Sequence, residues 1–569
     1  MTELVLVDSV TEVEAFLRWL SERRPILAFD LETSGLDPYR DVIRLAQFGD
    51  AETGWAIPYR DWRGVVRHAL EIYDRPLGSW NGKFDVSFLE RDGLTVDRHL
   101  VHDGMTMAHL FDSHGPKALK PAANFYLASG SDQSQVMLKE AMKHNGWDWA
   151  TVPETFETYW LYGAMDTVLT ARVIEHLWPK IQPYRDAYDL ERDVTWVLLD
   201  MEQRGARIDP VYCEKQYEEL TGELEEIRAR WPGLDILSTT QIRMQLEAEG
   251  FASAFTKKTE KGNIAVDDEV LARIDHPLAQ DCRRARQCSK WTSSYFGAFL
   301  RYAVDDIVHC NVNPLGAEKT GRMSISRPSM QNLPRLKLVR DAFIPRDGNR
   351  IVLTDYQAQE TRLIAHFANE AAMIAAFHAG VDIHRFVAEM VYKVATEAVT
   401  PDQRYRAKTC GHARNYGANA EKLAFAANIG LAEGRGFVER YDAAFPGIPV
   451  FNAKVVHTVY DREEDGYGHL MSYGGRKIRV PVSKAYAGTN WLVQGSGSDA
   501  LKKGLVNADR MGIAQFAVLP EHDEVVWDIP IPVIDEVLPE IHEAFEHDDL
   551  AVPLPIEEKI VERWGDAYV

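Results

Sequence analysis

Residues 350–362 read R-I-V-L-T-D-Y-Q-A-Q-E-T-R, and what this stretch becomes decides the fold. Ile351, Val352 and Leu353 form a short apolar run suited to a buried strand, which ends abruptly in Asp355. A polar turn follows, and the spacing of Leu363, Ile364, Phe367, Met373 and Ile374 predicts an amphipathic helix. A carboxylate at the end of a buried strand is costly without a cationic partner, and a divalent metal is the usual one. The competing reading is a strand-end turn with a solvated aspartate. The stretch alone leaves both open.

The chain has 569 residues, more than one core organises, so several domains are expected. With 46% hydrophobic and 26% charged residues, the composition is that of a soluble globular protein. No apolar run reaches transmembrane length, and the opening M-T-E-L-V-L-V-D lacks the regions of a signal peptide, so no membrane partner is expected. Cysteines 213, 282, 288, 310 and 410 show no C-x-x-C spacing, which fits a reducing, cytoplasmic setting. The formal net charge of −22 argues against wholesale polyanion binding but leaves room for local basic clusters. Such clusters stand at Lys257–Lys261, Arg283–Lys290 and Arg335–Arg350.

Upstream, Ile26–Phe29 reads as a strand delivering Asp30 and Glu32, and T-S-G-L-D-P then turns the chain. Residues 30 and 32 of an extended chain point to one side, so both carboxylates reach one metal. Asn81 and Asp85 stand four apart at a helix start in N-G-K-F-D. Tyr162 and Asp166 stand four apart within a helical stretch, Thr155–Trp178, hence on one face. A lone D-x-E is usually a surface feature; the ordered series D-x-E, N-x-x-x-D, Y-x-x-x-D is far more specific. It resembles the 3′–5′ proofreading exonucleases of the DEDD type with tyrosine in the third motif. The resemblance implies an α/β, RNase H-like domain over residues 1–185, with Asp30, Glu32, Asp85 and Asp166 holding two metals and Tyr162 orienting the attacking water. Hard oxygen ligands suit Mg²⁺, and a metal pair about 3.5–4 Å apart stabilises entering and leaving oxygens together. Phe84 stands where the family often has tyrosine and touches no ligand. With no motif residue missing, an active exonuclease is expected.

Further along, Tyr188–Asp209 reads as an amphipathic helix ended by Gly205. Helical patterns continue, broken near Trp231–Pro232 and at the basic tip F-T-K-K-T-E-K-G-N. Arg286 and Lys290, one turn apart, read as phosphate grips or as a solvated helical face. Thr400-Pro401 reads as an N-cap with proline at the first helical position, and Gly417 closes that helix. Along it Arg404, Lys408, His412 and Tyr416 recur at steps of four, a stripe on which cations lead and aromatic rings follow. That order suits a triphosphate at one end and a base at the other. Finally, Phe516–Leu519 and Val525–Ile529 read as strands joined by P-E-H-D-E, a hairpin that places Asp523 at its tip as the second carboxylate Asp355 needs.

With T-G-R-M-S-I-S-R-P-S-M-Q-N-L-P (320–334) and the final R-W-G-D-A-Y-V, these motifs in order resemble family A DNA polymerases. The resemblance implies an α+β right hand over residues 186–569, with a thumb at about 197–310, a palm at about 311–365 and 455–569, and fingers at about 366–454. It implies two Mg²⁺ (Mn²⁺ substituting) on Asp355 and Asp523, with the Tyr356 backbone carbonyl added and Glu524 beside them. Arg404, Lys408 and His384 match triphosphate contacts, Lys408 also a general acid for pyrophosphate, with His412 and Tyr416 at the nucleotide. Glu360 matches the residue that excludes a ribose 2′-hydroxyl. Arg322 matches a primer-terminal minor-groove contact, with Gln331 and Asn332 nearby, where donors meet acceptors common to every correct pair. Asn490 and Gln494 match residues facing the template-primer, and His522 one against the primer terminus. Ala358, Gln359 and His412, the last where phenylalanine or tyrosine is usual, depart from the pattern, and Arg335 is out of register with a family arginine.

The expectation is therefore template-directed DNA synthesis with 3′–5′ proofreading, in a layout without a 5′-nuclease domain similar to bacteriophage replicative enzymes. Expected partners are primer-template DNA, dNTPs and replisome proteins, with the chain a monomer in a host cytoplasm. The rival is a nucleic-acid-binding scaffold in which only the exonuclease works. Loss of Asp355, Asp523, Arg404 or Lys408 would favour it, and all four are present.

Overall fold

The computed structural model describes residues 2–22, 24–128, 130, 132–259 and 261–568; Glu260 in the basic tip and Val569 in the C-terminal motif lie outside the described residues. Six strands near the N-terminus form one sheet in the order Glu3–Leu6, Thr53–Pro58, Ile43–Gly49, Leu27–Thr33, Leu77–Ser79, Val101–Asp103. Leu27–Thr33 is antiparallel to Ile43–Gly49 and parallel to Leu77–Ser79. Asp30 and Glu32 lie inside this strand, which runs past Phe29, where the sequence reading ended it. The Glu157–Ile181 helix lies directly on the sheet: a Cβ at Gly54 would come within 2.3 Å of the Ala164 carbonyl oxygen. That contact brings Tyr162 and Asp166 over the strand carrying Asp30 and Glu32.

The second sheet is fully antiparallel, in the order Ala517–Glu521, Glu524–Pro530, Asn349–Tyr356, Ile556–Val561. Its centre is the apolar run of residues 351–353, buried between two partners as the sequence reading expects. The helix after Asp355 is two helices, Gln359–Ala368 and Ala371–His378. Leu363, Ile364 and Phe367 belong to the first, Met373 and Ile374 to the second. Asn369 takes a left-handed conformation (φ 47°) that ends one, and Glu370 caps the next by accepting from the Ala372 N–H at 3.3 Å. The apolar spacing survives the break, which is why periodicity read one helix.

Arg185–Arg204 is a helix shared by cores on both sides of it, Ala187 and Tyr188 packing into a smaller one near its start. Trp196 and Leu199 pack into the core beside the first sheet, while Val194, Val197, Leu198 and Met201 pack into the core around the second. Gly205 ends it at φ 62°, and a Cβ there would come within 2.5 Å of Ile307 Cγ2 and 2.8 Å of the Val308 carbonyl oxygen, so the position requires glycine. Around this helix the two parts are tied together. Lys83 pairs with Glu202 and donates to the Val312 carbonyl at 2.8 Å. Arg40 donates to the carbonyls of Arg301 and Ala303 at 2.9 and 3.0 Å, and Arg327 to that of Leu36 at 2.9 Å. The rings of Tyr39 and His309 stack at 3.8 Å. Among the described residues no helix is long and apolar enough to cross a membrane.

Candidate active sites

The first site gathers where the Leu27–Thr33 strand faces the Glu157–Ile181 helix. One carboxylate oxygen each from Asp30, Glu32 and Asp166 lie within 4.8 Å of one another. Burial, then the Asp166 charge, pushes the Asp30 carboxyl up to about 8. Glu32, Asp85 and Asp166 are raised as well, burial being the largest cause for each. Asp85 stands beside this group rather than within it: its Oδ1 accepts from the Leu31 N–H at 3.1 Å, and the neighbouring charge that acts on it most is that of Asp30. Asn81, in a left-handed conformation (φ 66°), starts the Gly82–Arg91 helix that carries it. Tyr162, one turn before Asp166, is buried, with the Trp149 ring at 6.4 Å.

A residue the sequence reading missed completes the site. The Lys120 ammonium pairs with both oxygens of Asp166 and lies 3.5 Å from the centroid of the Tyr162 ring. Nothing in L-K-P-A-A-N-F-Y-L marks it out except a lysine opening an apolar helix. Oxygens this close need a cation, and a side-chain ammonium already stands among them. The donor set therefore fits a hard divalent ion.

The second site is built on the hairpin. Glu521 pairs with Glu524 across a two-residue loop, His522-Asp523, with His522 at φ 59°, a positive value of the kind tight hairpins require. Glu524 is in turn opposite Asp355, so Asp523 arrives beside Asp355 as the sequence reading expects. Burial, then the charges of Asp523 and Glu524, pushes Asp355 up to about 7, and burial with Glu521 raises Glu524 to about 7. Asp355 Oδ1 is buried with no hydrogen-bond partner among the described residues, which fits a cation. Arg335, left unassigned on sequence, acts electrostatically on Asp355, Glu521 and Glu524. Arg340, 1% exposed, was not foreseen at all. It forks onto Glu521 with both bonds at 2.8 Å, donates to the Leu333 and Pro334 carbonyls, and stacks on Trp564 and Tyr568. The end of the 320–334 motif, the hairpin and the C-terminal residues are thereby joined. The only hint in the sequence is one arginine among apolar positions in L-K-L-V-R-D-A-F.

Tyr356 turns its side chain into the core, its hydroxyl at 2.8 Å from His547 Nε2. The following turn holds the family departures: Ala358 is left-handed (φ 50°), and Gln359 is buried and donates to the Gly497 carbonyl at 3.2 Å, docking its helix on Gly488–Arg510. Glu360, one residue on, accepts from the Tyr416 hydroxyl and from Arg322 at 3.2 Å, with His412 Nε2 at 3.7 Å. The Pro401–Asn415 helix begins with a reciprocal capping box between Thr400 and Gln403, and Tyr416 is its C-cap, with Gly417 at φ 76°. Arg404 pairs with Asp382 at 2.9 Å, and Asp382 caps the helix carrying His384. Burial, then the Lys408 charge, holds His384 down to about 4, with Arg404 and His412 also acting on it. The expected stripe is thus one electrostatic neighbourhood, with Lys408 and His412 exposed.

Of the expected nucleic-acid contacts, Asn490 and Gln494 are the two residues of 488–502 that are not buried, so this helix presents them together. Gln331 donates to the Met323 carbonyl at 3.0 Å, and the Asn332 carbonyl accepts from the Tyr295 hydroxyl at 2.9 Å, leaving the Asn332 side chain exposed. Lys290 lies 5.6 Å from that same Tyr295 ring, whereas Arg286 is turned to the Val266 carbonyl. His522 is exposed at the hairpin tip.

A model of DNA polymerase family A matches residues 211–566, and one of 3′–5′ exonucleases matches residues 4–182. The DNA polymerase of Mycobacterium phage D29 is 27% identical over 92% of this chain and 90% of its own length. That of Mycobacterium phage L5 is 27% identical over 99% and 97%. The POL domain of Pol1 from M. smegmatis, solved in complex with DNA primer-template and dNTP, superposes with a TM-score of 0.80 at 23% identity, covering 99% of both chains. With more than half its length matched by one model and its N-terminal third by the other, the chain belongs to the family A DNA polymerases and carries a 3′–5′ exonuclease domain.

Proposed function

We propose that this chain extends a primer 3′ end along a DNA template in phage-type replication and trims mispaired ends at a separate site. The observation that carries the reading is the Asp355–Asp523 pair: two carboxylates brought together by sheet register, one with a buried oxygen that no described residue satisfies. The DNA and dNTP present in the M. smegmatis structure support the same partners here. Residues 1–185 would form the exonuclease and 186–569 the right hand, with the thumb, palm and fingers bounded as the motifs imply.

In this reading Asp355, Asp523 and the Tyr356 carbonyl would hold two Mg²⁺, with Mn²⁺ able to substitute, and Asp30, Glu32, Asp85 and Asp166 would hold the exonuclease pair. When bound, the metals neutralise phosphate charge and acidify the attacking hydroxyl or water. The chain's own residues do the rest. Arg404, Lys408 and His384 receive the triphosphate, and Lys408, exposed on the stripe, delivers a proton to the departing pyrophosphate. Glu360, fixed by Tyr416 and Arg322, closes the space a 2′-hydroxyl would need. Asn490, Gln494, Arg322 and Asn332 meet the template-primer, and Tyr162 orients the water that attacks the 3′ phosphodiester. A primer-extension assay run with and without dNTPs tests both halves: extension with dNTPs and shortening without them are expected. Shortening with no extension would leave only the exonuclease and overturn the polymerase reading.

A further inference from the structure

Lys120 is 4% exposed at the start of the Leu119–Leu127 helix. Its ammonium takes both oxygens of Asp166 and lies over the Tyr162 ring, so one cation joins a carboxylate of the three-acid group to the tyrosine one turn before it. Two of the other acids, Asp85 and Asp355, are met differently. Asp85 is steadied by a backbone N–H, a fixed dipole that a metal need not displace. Asp355, in the other site, has a buried oxygen with no described partner. At Asp166, by contrast, a side-chain ammonium covers both oxygens that a metal would use. An ammonium and a divalent ion cannot share those oxygens: they need the same acceptor positions and repel each other. Lysine suits such a post, being a compact charge on a flexible stem that can turn away.

We propose that Lys120 is a positioning residue that competes with divalent metal for Asp166, so that the exonuclease requires more metal than the polymerase site does. It holds Asp166 and Tyr162 in place, and it turns off the carboxylate as metal is taken up. At limiting metal, synthesis then proceeds while trimming lags. The inference rests on Asp30, Glu32 and Asp166 being metal ligands.

The test is Mn²⁺ binding to the full chain, followed by the paramagnetic resonance of free Mn²⁺, in a background of Asp355→Ala with Asp523→Ala that removes the other site. Lys120→Met should tighten Mn²⁺ binding by about fivefold or more, the lower range of typical coupling between two ligands. Lys120→Arg, which keeps the charge, should stay near the parent. Lys120→Gln serves the same purpose if the methionine variant does not fold, and melting in chelator checks the fold of each. Unchanged or weaker Mn²⁺ binding in the folded neutral variants would overturn the competition. Asp30→Ala separates the two levels. If it leaves Mn²⁺ binding unaltered, the metal-ligand reading itself fails. If it abolishes binding while Lys120→Gln changes nothing, only the competition fails.

Discussion

Asp523 sits in the hairpin loop of the second sheet and Asp85 on the Gly82–Arg91 helix beside the first, so the roles proposed for them make the two activities separable by single substitutions. Asp523→Ala should lower primer extension by a factor on the order of 10²–10³ or more, the scale of losing one electrostatic stabiliser, and leave shortening of a single-stranded 3′ end intact. Asp85→Ala should do the converse; loss of synthesis on a correctly paired primer by a folded Asp85→Ala protein would refute its assignment. His412 stands 3.7 Å from Glu360 with its ring edge-on to Tyr416 at 5.3 Å. A tyrosine there would carry a hydroxyl further, toward the gap left by a missing ribose 3′-hydroxyl. His412→Tyr is therefore expected to raise use of dideoxynucleotides relative to deoxynucleotides, read from termination frequencies at fixed nucleotide ratios, and equal frequencies would show that His412 only packs. Asp85 and His412 stood out because each lies four residues from Asn81 or Lys408, and Asp523 because a turn between two apolar runs marks it. Lys120, Arg335 and Arg340 did not, because their partners lie tens to nearly two hundred residues away in the chain.

The hairpin and the strands around it show how much of an element's geometry depends on a side chain outside it. Arg340 is the buried counter-charge of Glu521, the residue just before the His522-Asp523 loop. Arg340→Met should cost about 3–5 kcal/mol because it leaves a buried carboxylate unpaired. Thermal melting would register the loss, and extension should suffer more than shortening because the loop carries Asp523; an unchanged melting temperature would mean Glu521 finds another partner. His102, on the Val101–Asp103 edge strand, gives a pH signature. Burial, then Arg192 and Arg185, pushes it down to about 4, with its Nδ1 3.0 Å from the Tyr188 hydroxyl. The unfolded chain takes up that proton near pH 6.5 and the folded one does not, so stability contributed by neutral His102 is full above about 6.5 and lost as pH falls toward 4. His102→Gln should reduce the drop in melting temperature between pH 7 and 5 by roughly 2–4 °C, the shift expected of about 1 kcal/mol in a domain of this size. An undiminished drop would place the acid sensitivity elsewhere. Elements were read well where burial fixed a period, as in 351–353, and least well where a cap interrupted it, as at Asn369–Glu370.

Across the molecule, the basic clusters that stood out in the sequence are largely answered by acids: Lys257 by Asp267 and Glu269, Arg283 by Asp268, Arg284 by Glu223, Arg346 by Asp528 and Arg350 by Glu562. A linear reading sees the cations as a patch, since their partners are remote in sequence. With a net charge of −22, binding to DNA then rests on a limited set of phosphate contacts. Affinity for primer-template should fall steeply, by about 10³-fold or more if six phosphates are engaged, between 50 and 200 mM salt. Extension in a single encounter, measured with a trap, should be short, and products of thousands of nucleotides from the chain alone would contradict this. One further consequence follows from the Arg185–Arg204 helix. Trp196 and Leu199 belong to one core, and Val197 and Leu198, lying between them in sequence, belong to the other. A cut on either side of this helix leaves one fragment carrying it with a face bare and the other with the matching core uncovered. A chimera that swaps one part is therefore expected to need rebuilt packing along this seam.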